Sequence, residues 1–177
     1  EARRPRDRKW KRWERGQAME LWQMDVVGGF LLADGRRAKA LTGIDDHSRF
    51  CVSAFLMLRE NARSVCDGLL LAFERFGLPG QVLTDNGTQY KTWRGVSAFT
   101  QLLTRGGIRH EVASPRRPQT LGKGERFWGT LWRELLEKAI FQGLDDARRR
   151  IGLFIDHYNF QRPHQGCEGL TPADRFF

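Results

Sequence analysis

Short apolar runs alternate with polar turns over the first third of the chain after residue 20. The runs cover residues 21–27 with an extension to 32, then 38–44, then 50–58. "ADGRR" and "DDHSR" separate them at hairpin length, so the pattern predicts an antiparallel three-stranded meander. Asn61 then precedes Val65, Leu69, Leu70 and Phe73 at helical spacing. That predicts an N-capped helix ending before Gly77-Leu78-Pro79. "GQVLTD" reads as a fourth strand that stops on Asp85, and a helix over residues 96–105, closed by Gly106-Gly107, leads to a fifth strand, "IRHEV".

"ASPRRPQTLGKGE" follows, rich in Pro and Gly, and reads as a loop. "ERFWGTLWRELLEKAIF" restores helical periodicity, with Phe127, Leu131 and Leu135 on one stripe and Trp128, Trp132, Leu136 and Ala139 on the next. A last helix is expected over about 144–160, and "QRPHQGCEGLTPADRFF" reads as coil or short helix. Strands followed by alternating helices and strands predict an α/β fold with a mixed sheet. At 177 residues, 40% of them apolar, one domain is expected. It divides into a basic arm (1–20), a core (21–160) and a tail packing on or extending that core (161–177).

Charge narrows the choice of partner. Lys and Arg number 30 against 21 Asp and Glu, a formal +9 with a sequence pI near 10.2. Nucleic acid is the polyanion this balance favours, although a basic solvated surface has the same composition. The first fifteen residues hold eight basic against three acidic side chains, a net +5. Such an arm could track a phosphate backbone or be a solvated linker, and Trp10 and Trp13, three apart, would let it dock. The chain lacks an initiator Met, so a longer parent is expected. Cys51, Cys66 and Cys167 are odd in number and widely spaced, which predicts free thiols in a reducing cytosol. His47, His110, His157 and His164 lack zinc-site spacing. No run approaches the roughly 20 apolar residues that span a bilayer, and the charged start predicts no signal peptide.

Three acids stand where chemistry could use them. Asp25 interrupts an apolar strand between Met24 and Val26, where a charge is costly unless something pairs with it. Asp85 ends a strand, the place where ligands bind in parallel or mixed sheets. If the first and fourth strands are neighbours, the two acids face each other and need a cation between them. Glu125 opens a helix after the Pro/Gly loop. Each has a plainer explanation: an Asp-Asn-Gly turn for Asp85, a favourable helix dipole for Glu125. Three carboxylates together suit Mg²⁺ or Mn²⁺, and two such ions about 3.5–4 Å apart can drive phosphoryl transfer without a protein nucleophile. Asp45, Asp46 and Ser48 fit a turn role, Glu111 an edge strand, Asp145 and Asp146 a first helical turn, and Cys51 and Cys66 the core.

Taken together and in order, "LWQMD", "LTGIDDHSR", "LTDNGTQY", "SPRRPQTLGKGERFWGTL" and "YNFQRPHQGCEGLTPADRF" resemble the integrase-type (DDE) catalytic core of bacterial insertion-sequence transposases. The likeness is to the IS-three and IS-four-eighty-one groups, more distantly to retroviral integrases, and runs from about residue 13 to 177. It implies a ribonuclease H-like fold with a five-stranded mixed sheet flanked by helices. It also implies a catalytic, metal-binding triad of Asp25, Asp85 and Glu125 holding two divalent ions. The activity implied is hydrolysis at transposon ends and 3′-hydroxyl strand transfer into target DNA, by a homodimer or higher multimer in a bacterial cytoplasm, at the nucleoid. By the same resemblance Arg116, Arg117, Gln119, Lys123 and Arg126 contact DNA near the cut.

The sequence departs from the family pattern in two ways. Thirty-nine residues separate Asp85 from Glu125, a few more than usual, with the excess around "KTWRGVS". Leu121 and Gly124 replace a common Asn and a common apolar residue; two glycines near Glu125 cost that helix start roughly 1 kcal/mol each relative to Ala. Glu125 is therefore expected to be poorly held without metal and DNA. The competing readings are a DNA-binding relative that does not cut and another ribonuclease H-like nuclease. A Tyr recombinase would have only Tyr90 and Tyr158 to use.

Overall fold

β1 (Trp22–Leu31), β2 (Arg37–Asp45) and β3 (Cys51–Met57) form the meander that the alternating pattern predicts. The computed structural model describes residues 14–88, 90, 95–113 and 122–177. α1 (Ala62–Phe76) starts where the Asn61 side chain accepts the Ser64 N–H, and stops at Gly77, whose N–H returns to Phe73 O. β4 (Gln81–Thr84), α2 (Ala98–Arg105, capped by Ser97) and β5 (Arg109–Val112) follow.

The five strands form one mixed sheet in the order β3-β2-β1-β4-β5. β1 runs antiparallel to β2 and parallel to β4, and β4 parallel to β5. The first and fourth strands are thus neighbours, the condition on which the facing of Asp25 and Asp85 depended. Their ladder is short, Trp22 opposite Val82 and Gln23 opposite Leu83. Beyond it β4 follows β5: Ala113 N–H donates to Thr84 O at 2.8 Å, and Thr84 Oγ1 meets His110 Nε2 at 2.9 Å. The two strands therefore part just before each reaches its acid.

Each face of the sheet has its own core. Trp22, Met24, Leu41, Val52 and Val82 pack with Val65 and Leu69 of α1 and Phe99 and Leu103 of α2. On the other face Phe30, Ala38, Ala40, Ile44 and Leu56 meet α3 (Gly122–Leu131) and α4 (Leu144–Phe160) through Phe127, Leu131, Ala147 and Ile151. Period-2 alternation sends Gln23 and Asp25 toward this second face.

α3 differs from the expected helix in two respects. It begins at Gly122, inside the stretch read as loop, and at Trp132–Leu136 it passes into a single π-helical turn. The wider turn shifts the buried stripe by one residue, so Leu136, rather than Leu135, follows Phe127 and Leu131 into the core. The chain closes with a 3₁₀ turn (Gln165–Cys167) and α5 (Pro172–Phe176), which starts in a Thr171/Asp174 capping box. Trp10 and Trp13 lie outside the described residues. The end of the basic arm is docked: Glu14 pairs with Arg49 and Arg175, and Arg15 N–H donates to Asp46. No helix among the described residues is long and apolar enough to cross a membrane.

Candidate active site

Asp25 lies on β1 opposite Thr42, whose hydroxyl donates to the Asp25 carbonyl at 3.1 Å. Its carboxyl is half-buried and its pKa is raised to about 6. Burial is the largest cause and the charge of Asp85 the next; the Val26 N–H pulls the other way, and Glu125 and Glu60 push it higher. Asp85, Glu125 and Glu60 thus lie within electrostatic reach of Asp25.

Asp85 follows the last residue of β4, and its Oδ1 accepts the Gly87 N–H at 2.9 Å. The Asx turn read from "DNG" is therefore present, and it fixes one carboxylate oxygen. Glu125 stands exposed in the first turn of α3. Among the described residues no three Asp, Glu, His or Cys side chains close tightly enough on one point to ligate an ion together. Asp25 and Asp85 each follow the last paired residues of β1 and β4, and the charge of Glu125 reaches Asp25 from the first turn of α3.

Two contacts bring α3 over β1. Gly28, at φ 115°, sits in the β1 bulge, and a Cβ there would come within 3.2 Å of the Trp128 ring. A side chain would thus meet both unfavourable backbone geometry and the indole. The second contact is a buried polar junction. Asp46, fully buried, accepts the Gln23 amide at 2.7 Å and the Lys123 ammonium at 2.5 Å, and its carbonyl accepts that ammonium at 2.9 Å. Gln23 Oε1 in turn accepts the Gly124 N–H at 3.4 Å, satisfying one of the open donors at the helix start. Gln23 is two residues before Asp25 and Lys123 two before Glu125, so the junction ties the strand of one acid to the helix of another.

The Lys123 side chain is only 13% exposed and is held by Asp46, so its amine anchors α3. Burial lowers its pKa, opposed by the Asp46 carboxylate. Gly122 and Gly124 lie inside α3, where Gln23 accepts the Gly124 N–H and Asp46 the Lys123 ammonium. Arg126 is exposed on α3 and makes no ion pair among the described residues. Arg116, Arg117 and Gln119 lie outside those residues. Asp45 accepts both the N–H and the hydroxyl of Ser48, as the turn reading requires. Asp46 and Gln23 escaped the sequence reading because their partners are 77 and 101 residues away.

A five-stranded mixed sheet in this order, covered by helices on both faces, is the ribonuclease H-like fold. The chain belongs to the integrase core domain family: one model of that domain matches residues 15–118 and a second 106–172. A protein of insertion element IS476 from Xanthomonas euvesicatoria is 35% identical over 154 residues, covering 87% of this chain and 43% of its own length. The transposase of insertion sequence element IS904 from Lactococcus lactis is 31% identical over 134 residues, 74% of this chain and 51% of its own. The chain thus spans about half the length of these curated relatives. Among solved structures, the HTLV-2 integrase catalytic core domain, in complex with magnesium and in a dimeric form, superposes with a TM-score of 0.69 at 20% identity. That match covers 91% of this chain and 98% of the other. An integrase in a simian T-cell lymphotropic virus intasome gives a TM-score of 0.76 at 22% identity, over 92% and 56%.

Proposed function

We propose that this chain is the catalytic core of a DNA transposase that hydrolyses a phosphodiester at a transposon end and joins the freed 3′-hydroxyl to target DNA. The observation that carries the reading is the placement of Asp25 and Asp85 just past the last paired residues of β1 and β4, with the charges of Asp85 and Glu125 both reaching Asp25. Like charges gathered at a strand-end cleft, with oxygen donors only, fit a hard divalent cation. Asp25, Asp85 and Glu125 would hold Mg²⁺ or Mn²⁺, two ions in all. When bound, they activate an attacking oxygen and neutralise the leaving one.

The chain's own groups prepare that site. Asp25 must be ionised to bind a cation, and its raised pKa makes cation binding compete with a proton. The Asx turn engages one oxygen of Asp85, and the Asp46 junction keeps the first turn of α3 beside β1. Arg116, Arg117, Gln119 and Arg126 are proposed as DNA contacts near the cut, in line with a +9 chain meeting a polyanion. A homodimer is proposed through the β3 edge of the sheet, where a cavity of about 510 Å³ between α1 and α4 is lined by Phe55, Leu71, Ile151 and Ile155. The dimeric form of the HTLV-2 core supports that proposal.

The test is Mn²⁺-dependent nicking and strand transfer on a pre-processed end. Wild type is expected to act and Asp85→Asn to lose the activity. Calorimetric titration is the independent check: failure to bind Mg²⁺ or Mn²⁺ at millimolar concentration removes the catalytic reading and leaves a DNA-binding relative.

A further inference from the structure

Beside the acids lies a second concavity, of about 750 Å³, walled by α3 on one side and by the end of α4 with the segment after it on the other. Glu125 lies on its lining, so this cavity opens next to the acids. Five cationic side chains reach it from three parts of the chain. Three are already neutralised: Arg49 by Glu14 at 2.5 Å, Lys123 by Asp46 at 2.5 Å and Arg162 by Glu134 at 2.6 Å. Arg126 and Arg133 are not; neither has a carboxylate partner among the described residues.

The two unpaired guanidiniums are seven residues apart on α3 and both face the cavity. Gly129 lies between them, and a Cβ there would meet open space, so the floor between the two arginines is clear backbone. At 1.5 Å rise per residue they are ~10 Å apart along the helix, close to three steps of a nucleic-acid strand at ~3.4 Å each. Across the cavity the wall is formed by Tyr158, Arg162 and His164. A concave site focuses positive potential, and a guanidinium matches a phosphodiester with two parallel N–H donors. A solvated basic face would need neither the opposite wall nor the cleared floor.

We propose that this cavity is a groove for the backbone of the DNA strand running away from the acids. Arg126 and Arg133 hold phosphates about three steps apart on that strand, and the 158–166 segment forms the outer wall, so the tail after α4 becomes part of the DNA-binding surface. The proposal rests on the DNA reading above, and it adds Arg133 as a contact.

Binding of a fluorescently labelled DNA duplex, followed by anisotropy at several NaCl concentrations, tests it. Each lost phosphate contact should lower the slope of log affinity against log salt by about 0.9. The expected results are one such loss for Arg133→Gln, about two for Arg126→Gln/Arg133→Gln, and a retained slope for Arg133→Lys. Unchanged slope and affinity in Arg133→Gln, with a native circular dichroism spectrum, overturns the groove; a slope lost equally in Arg133→Lys does the same, because charge would not be the cause. Asp85→Asn should keep the wild-type slope. A wild type that binds with the expected slopes but never cuts DNA removes the catalytic reading and leaves the groove standing. A wild type that cuts with Arg133→Gln unchanged does the reverse.

Discussion

Asp25 carries a cost in the ion-free protein. Its carboxyl titrates near 3.8 in an unfolded chain and at about 6 in the fold. Between those values the folded chain holds a proton that the unfolded chain has lost. The contribution of Asp25 to stability is therefore full below about pH 4 and falls as pH rises through 6. Asp25→Asn removes that loss. Urea unfolding in EDTA should find the variant more stable than wild type at pH 7, on the order of 1 kcal/mol once solvent screening is allowed for, and no more stable at pH 4. Calorimetry on the same variant should show loss of Mn²⁺ binding. This acid was legible in the sequence because a charge inside an apolar strand needs a reason. Asp85 was legible as a strand end with an Asx turn. Glu125 was not, since a first-turn glutamate suits any helix and only the ordered family blocks singled it out.

At the scale of elements, α3 is where local sequence and tertiary structure diverge. Its glycines disfavour a helix start, and its periodicity has no signal for a π-helical turn, since apolar residues at 135 and 136 satisfy either register. The helix start is held from outside, by Gln23, Asp46 and the ring of Trp128 over Gly28. Removing the anion should therefore unsettle the helix. Asp46→Asn is expected to cost roughly 2–4 kcal/mol, because it leaves the Lys123 ammonium without its partner. Asp46→Asn/Lys123→Met should cost less than the two single changes together, a coupling readable by urea unfolding. Gly124→Ala, whose added methyl meets open space, should instead stabilise by up to about 1 kcal/mol.

On the scale of the whole molecule, the meander, the capped helices and the mixed sheet could be read from apolar spacing and turn residues. Strand order could not, because nothing local says that β4 returns beside β1. The β3 edge gives the test of assembly. Gly152, on α4 beside the apolar cavity, has no neighbour within 4 Å, so Gly152→Glu should leave the monomer folded and place a charge in the proposed interface. Analytical ultracentrifugation should then find a dimer for wild type and a monomer for the variant. The early parting of β1 and β4 has a consequence for ion choice. The two aspartates lie beyond the last paired residues, on backbone that no shared ladder bond holds at a fixed spacing. Such a cleft can widen or narrow to suit ionic radius, so Ca²⁺ should occupy it with an affinity comparable to that of Mg²⁺ and act as a competitive inhibitor.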